Sequence, residues 1–293
     1  MRMKSFLILL VALPLVAMAQ LPTHSNEARS LAEALKQPGT TWLNLSRQNM
    51  EAFPDSIFLL KDLRYLDLSH NRIAQLPPRI AELPQLTYLV LSYNQLQELP
   101  PEIRSLQQLQ TIYLDHNPTL NVGVTLDRLT PLPNLKVLSL AGDNIKAMPS
   151  SLAKLKTLES LELSENPLTT LPDNMAEMSN LSVLYINNDA YFNLENNIQV
   201  LSRIPNLSEL HIENDEVIKL PENIKELKQV EYLFLVGNKI QELPTSIREM
   251  PQLRYLDLRD NQIPTHLQDD YMRTLSPRII LRLNNKHTKQ KKR

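Results

Sequence analysis

The stretch that decides the fold is Leu63-Arg64-Tyr65-Leu66-Asp67-Leu68-Ser69-His70-Asn71-Arg72-Ile73. It returns 23 residues later as Leu86-Thr87-Tyr88-Leu89-Val90-Leu91-Ser92-Tyr93-Asn94-Gln95-Leu96. The spacing recurs at Leu158, with Leu161, Leu163, Asn166 and Leu168, and at Leu253, with Leu256, Leu258, Asn261 and Ile263. Units begin at 40, 63, 86, 109, 135, 158, 181, 207, 230 and 253, which makes ten. Positions one, four and six of these units give thirty residues, and 29 of them are Leu, Ile or Val, the exception being Thr40.

Positions four and six point the same way on a short strand, because side chains alternate with period two. Each strand is too short to fold alone. Stacked in parallel, they bury the leucines in one continuous core and pair each backbone with its neighbours. Position nine reads Gln48, Asn71, Asn94, Asn117, Asp143, Asn166, Asp189, Asp215, Asn238 and Asn261. In the leucine-rich repeat, which this spacing resembles, the residue at this position turns inward where the chain leaves the strand and satisfies backbone groups otherwise left over. Asp lacks the amide donor, so the ladder is expected to loosen in the middle.

The return segments carry Leu76-Pro77, Leu99-Pro100, Met148-Pro149, Leu171-Pro172, Leu220-Pro221 and Leu243-Pro244, with Phe53-Pro54 beside them. Proline withholds a donor and forbids a further ladder strand, so this outer side is expected to be extended and 3₁₀-like. The units at 109 and 181 have 26 residues and no Leu-Pro at that repeat position. Their outer segments, 122–132 and 194–204, read as helical turns. The block 109–180 is thus echoed by 181–252, as an old duplication would leave it.

The pattern closely resembles the leucine-rich repeat, L-x-x-L-x-L-x-x-N-x-L, over roughly residues 40 to 284. The resemblance implies an α/β fold: a solenoid of about ten repeats, with a parallel concave sheet, a 3₁₀ or extended convex side and a helical N-terminal cap. The expected organisation is a signal peptide at 1–19, a helical cap at 20–39, repeats at 40–264, a C-terminal cap at 265–285 and a basic tail at 286–293. In the N-terminal cap, Ser25 to Lys36 reads as a helix with Ala28, Leu31, Ala32 and Leu35 inward. At the other end, Leu267 to Leu275 reads as a helix, and Ile279 to Leu283 as a closing strand.

Arg2 and Lys4, the apolar run from Phe6 to Ala19 and the small-x-small triplet Ala17-Met18-Ala19 read as a secretory signal cleaved after Ala19. That run falls short of the ~20 residues a spanning helix needs, so no stable membrane insertion is expected. The whole chain of 293 residues has no cysteine, which removes disulfides, thiolate metal sites and a cysteine nucleophile. A secreted chain without cysteine fits a bacterial periplasm or outer surface better than an animal extracellular space. The four glycines lie far apart, which excludes a phosphate-cradling loop. Residues 1–19 hold two positive charges and the last eight residues five, so the body between has 24 positives against 32 acids. That acidity argues against nucleic acid as a partner.

Little else suggests chemistry. His70 and His116 share position eight and His211 stands at position five, with no metal-binding spacing. Ser46, Ser69, Ser92 and Ser164 share position seven, which marks them as scaffold rather than nucleophiles. Glu159, Glu162, Glu165, Glu209 and Glu213 read as a solvated acidic patch that attracts a basic partner. No cofactor, metal or catalytic residue is expected. Positions two, three, five, seven and eight face the concave side and carry Trp42, Tyr65, Tyr88, Tyr93, Tyr113, Tyr185, Tyr232, Phe234 and Tyr255, nine of the fifteen aromatics. Exposed aromatics dominate binding hot spots, although rings on neighbouring rungs also stack simply to cover a sheet. Tyr65, Tyr88 and Tyr113 are expected to form one oblique patch with Tyr93 at its rim. Asp67 and Asp115 flank it and favour a positively charged ligand. The family resemblance implies non-catalytic recognition of a protein or peptide on this face. A glycan-binding adhesin and a structural envelope protein stay open as alternatives, and the oligomeric state cannot be read.

Overall fold

A computed structural model describes residues 26–275 and 277–284. The expected signal peptide, residues 20–25 of the expected cap and the basic tail lie outside them. Twelve parallel strands form one sheet in sequential order. They are β1 (Glu27–Ala28), β2 (Trp42–Asn44), β3 (Tyr65–Asp67), β4 (Tyr88–Val90), β5 (Thr111–Tyr113), β6 (Val137–Ser139), β7 (Ser160–Glu162), β8 (Val183–Tyr185), β9 (Glu209–His211), β10 (Tyr232–Phe234), β11 (Tyr255–Asp257) and β12 (Ile280–Arg282). From β2 to β11 every unit pairs with the next in the register of the repeat, as in Leu43↔Leu66↔Leu89↔Ile112. Positions one, four and six are buried throughout. A leucine so enclosed contributes about 2–3 kcal/mol by leaving water.

Seven 3₁₀ turns line the convex side, and each follows directly on a proline: Pro54, Pro77, Pro100, Pro149, Pro172, Pro221 and Pro244. The ring presets φ near that of the turn. Each proline carbonyl then accepts the N–H of the third residue on, as in Ile80 to Pro77 at 3.0 Å and Ile224 to Pro221 at 3.0 Å. That third residue is also the buried apolar anchor, so one position both closes the turn and fastens it to the core.

The 26-residue units replace this turn by helices, as expected. Val122–Leu129 is capped by Asn121, whose side chain accepts from the N–H of Val124. Leu194–Leu201 is capped in the same way by Asn193. The N-terminal cap differs from the expected helix. Ala28 follows the sheet register and pairs with Leu43, so Glu27–Ala28 becomes a strand. Ser30 then starts a helix of only four residues, α1 (Leu31–Ala34). Ala28 and Ala34 are buried, whereas Ala32 and Leu35 are exposed. At the C-terminal end the helix spans Thr265–Thr274 and is followed by β12.

The asparagine ladder is present. Asn71 Oδ1 accepts from the N–H groups of Gln48 and Met50 in the preceding unit, both at 3.0 Å. Its Nδ2 donates to the carbonyls of Leu45 and Leu68. Leu68 and Leu91 each receive two such donations, but Leu114, Leu140 and Leu163 receive one each, because Asp143 and Asp189 have no amide to give. Gln48, at the first unit, is exposed and outside the ladder.

Position eight of all ten units lies in the left-handed region, with φ from +54° to +73°, from Arg47 through Tyr93 to Asp260. A side chain there costs about 1–2 kcal/mol. The turn persists because its N–H reaches a carbonyl of the next unit, as Tyr93 reaches Asp115 at 2.7 Å. At Gly142 a side chain is also sterically forbidden: a Cβ would stand 1.9 Å from the His116 ring.

Candidate functional site

The strand register sorts the concave side chains into columns. Position three carries Trp42, Tyr65 and Tyr88 on β2 to β4, then small residues, then Glu209, Tyr232 and Tyr255. Position five carries Asp67, Val90, Tyr113, Ser139, Glu162, Tyr185, His211, Phe234 and Asp257. Tyr113 therefore lies two residues along from the column of Tyr65 and Tyr88. The expected oblique patch divides between two columns.

Neighbouring rings cover one another. Trp42 and Tyr65 stack at 3.5 Å between centroids, and Tyr65 meets Tyr88 at 6.2 Å. Trp42, Tyr88 and Tyr185 are consequently only 4%, 2% and 7% exposed. This corrects the expectation that all nine aromatics stand open to a ligand: strands about 4.8 Å apart leave one ring to shield the next. Tyr65, Tyr113, Phe234 and Tyr255 are half-buried, and Tyr93 and Tyr232 remain exposed. Tyr93 lies in a row at position eight, between His70 at 4.3 Å and His116 at 4.1 Å. His116 reaches past Gly142 to within 3.7 Å of Glu165.

A second stack runs across the far half. His211 is sandwiched between Tyr185 at 4.2 Å and Phe234 at 4.1 Å, and Phe234 continues to Tyr255 at 5.2 Å. Nε2 of His211 lies 2.7 Å from Glu209 and Nδ1 lies 2.9 Å from Glu213. Burial opposes protonation of this ring, but the two carboxylates outweigh it and hold its pKa above the ordinary histidine value. Glu209 and Glu213 are thus half-buried partners of His211, not the freely solvated acids expected. Glu159 is likewise paired with Lys136, at 2.9 Å. Among the described residues, no group of three His, Asp or Glu side chains is placed to hold a metal ion.

The acids at position five have a local duty that the sequence reading missed. Asp67, Glu162 and Asp257 each accept the N–H two residues on, at 2.8, 2.7 and 3.2 Å, closing the strand exit. Asp257 is also clamped by Arg259. Asp115 accepts from Ser92, from Ser139 and from the N–H of Ala141. The position-seven serines are scaffold as expected: Ser92 donates to Asp115, and Ser164 accepts the N–H of Asn187.

The continuous parallel sheet, the proline-led turns and the amide ladder define, over the described residues, a repeat solenoid that carries a polar-aromatic face on its concave side. The chain belongs to the leucine-rich repeat family, whose model matches residues 38–96, 133–190 and 205–263, more than half of the sequence. A comparison with curated proteins found no match. Among solved structures, the leucine-rich repeat domain of the type III effector XopL is 24% identical, with 86% of this chain and 79% of that one covered and a TM-score of 0.53. An internalin from Listeria monocytogenes is 20% identical, with coverage of 92% and 85% and a TM-score of 0.49. A leucine-rich repeat protein from Leptospira interrogans is 21% identical, with coverage of 88% and 99% and a TM-score of 0.41. The XopL domain supports the fold alone.

Proposed function

We propose that this chain is an exported, non-catalytic recognition protein that binds a protein or peptide, with a preference for basic segments, on the concave face of its solenoid. The observation that carries this reading is the mixture found there. Exposed Tyr93 and Tyr232 and half-buried Tyr65, Tyr113, Phe234 and Tyr255 share one face with Asp115, Glu162, Glu165, Glu209 and Glu213. Rigid rings offer contact area at low rotamer cost, and carboxylates steer a cationic partner. Family membership supports a role in protein interaction. Export rests on the positive start, the apolar run and Ala17-Met18-Ala19. In the described residues no helix is long and apolar enough to cross a membrane.

The test is selection of a random peptide library on the immobilised chain. Enriched peptides are expected to lose about tenfold in affinity with Tyr93→Ala or Tyr232→Ala and to keep it with Lys225→Ala on the convex side. Peptides indifferent to both tyrosines contradict the reading, as does a ligand recovered only from a glycan array. Mass spectrometry of the native protein is expected to find Gln20 first; retained residues 1–19 would overturn the export reading.

A further inference from the structure

The middle of the concave face holds two carboxylates, Asp115 and Glu162, that pair with no Lys or Arg among the described residues; the cation that Glu162 feels is His211. Glu162 stands on β7 between Ser139 of β6 and Tyr185 of β8. Its carboxylate is hydrogen-bonded to Ser164, and no Lys or Arg pairs with it among the described residues. Asp115 lies close enough to repel it. Position three beside these residues is low: Thr111, Val137, Ser160 and Val183 run across β5 to β8. Aromatic rings stand at both ends, Tyr88 and Tyr113 on one side and Tyr185 on the other, about 14 Å apart across three strand spacings in the column of Tyr113.

A second observation is independent of the acids. The hydroxyl of Tyr113 is buried without a hydrogen-bond partner. The charges felt by the Tyr113 phenol, after burial itself, are those of Asp115, Tyr88, Tyr65 and Tyr185. Unpartnered phenols in a native fold call for a missing donor or acceptor. Here the Tyr113 hydroxyl can accept a hydrogen bond, with Asp115 nearby and aromatic rings on both sides. That combination suits an ammonium or guanidinium group, which donates to oxygen and is attracted to ring faces.

We infer that the β5–β8 segment of the concave face, centred on Glu162 and Asp115 between Tyr113 and Tyr185, seats one lysine or arginine side chain of a basic peptide. This rests on the concave-face reading above and gives it a position and a chemistry. Burial and Asp115 push the Glu162 carboxyl up to about 7. A bound cation stabilises its ionised form, so binding releases a proton and tightens as pH rises through neutrality. The groups facing Glu162 are Asp115 on the β5 side, Tyr185 on β8, His211 on β9 with Glu209 and Glu213, and Glu165 on its own unit.

The experiment uses the full chain with fluorescent hexalysine, fully acetylated hexalysine and hexaglutamate as probes. Hexalysine is expected to bind, and the other two are not. Glu162→Gln is expected to weaken hexalysine about tenfold at pH 8, equal to about 1.4 kcal/mol. Glu226→Gln, a change of equal charge on the exposed convex side, is expected to change it less than twofold. Wild-type affinity is expected to rise from pH 6 to pH 8 more steeply than that of Glu162→Gln. The histidines titrate in both proteins, so only this difference counts. Melting curves confirm that both variants fold. Equal small losses in the two variants, or equal pH slopes in wild type and Glu162→Gln, overturn the seat. If library peptides still depend on Tyr93 and Tyr232, the concave reading survives without it; if they do not, both fall.

Discussion

Asp143 and Asp215 are the same scaffold residue, 72 positions apart, each standing just after a helical unit. Oδ1 of Asp143 accepts the N–H of Asn117, and Oδ1 of Asp215 accepts that of Asp189. In both, Oδ2 is buried without a partner. Asn71, Asn166 and Asn238 each accept two N–H groups of the preceding unit. The longer units lead the chain away into Val122–Leu129 and Leu194–Leu201, so only one such N–H reaches each aspartate.

Burial, resisted by the hydrogen bond each accepts, pushes both carboxyls up to about 8. The folded chain thus keeps two protons that the unfolded chain gives up near pH 4. Stability is expected to fall as pH rises from about 4 to about 8, because over that range the folded state binds more protons. Asp143→Asn or Asp215→Asn restores a donor and removes the charge. Each is expected to raise stability at pH 8 by about 1–3 kcal/mol and to flatten the pH slope. Urea titrations at pH 5 and pH 8 measure this. A variant less stable than wild type at pH 8 contradicts the assignment.

Asn166 accepts from the N–H groups of Asp143 and Ile145 and donates to the carbonyls of Leu140 and Leu163. Asn166→Ala strands these buried groups and is expected to cost about 2–3 kcal/mol. The adjacent Glu165 is exposed, and Glu165→Ala is expected to stay within about 0.5 kcal/mol. Chemical denaturation of the two variants side by side is the check. Equal effects mean that the register of the ladder is misplaced.

Tyr88 and Tyr93 are five residues apart, yet they differ in kind. Tyr88 is enclosed between columns, and Tyr88→Ala is expected to cost about 3–4 kcal/mol, as a core aromatic does. Tyr93 is 44% exposed, and Tyr93→Ala is expected to cost less than about 1 kcal/mol. Their thermal and urea unfolding curves separate the two; similar losses would show that Tyr93 too is part of the covering of the sheet.

The repeat made much of this architecture legible before any coordinates. Leu66, Leu89 and Leu161 face inward because a period of two leaves them no other choice, and Pro77 and Pro100 mark the outer turn because they cannot extend the sheet. The 26-residue units betrayed their helices by lacking Leu-Pro at the outer-turn position. The rest depended on contacts between units. Whether Tyr88 or Tyr93 is open depends on which ring stands on the next strand, and a single repeat does not contain that information. Position eight hid its left-handed backbone because Arg47, His70, Tyr93 and Glu165 occupy it. Asn188, Asn214, Gly142 and Gly237 at the same position were the available signal. Glu209 and Glu213 read as solvated until His211 was found between them. At the N-terminus, Ala28 satisfied both the helical and the strand pattern, and pairing with Leu43 decided for the strand.

Hydroxyl-radical footprinting of the full chain, free and bound to a library-selected basic peptide, tests the central claim most directly, since it reads side-chain exposure on both faces at once. The account predicts protection of Tyr93, Tyr113 and Tyr232 on the concave side, with Leu59 and Met272, both exposed elsewhere, oxidised as before. Protection of Leu59 or Met272 with the concave tyrosines unchanged would contradict it.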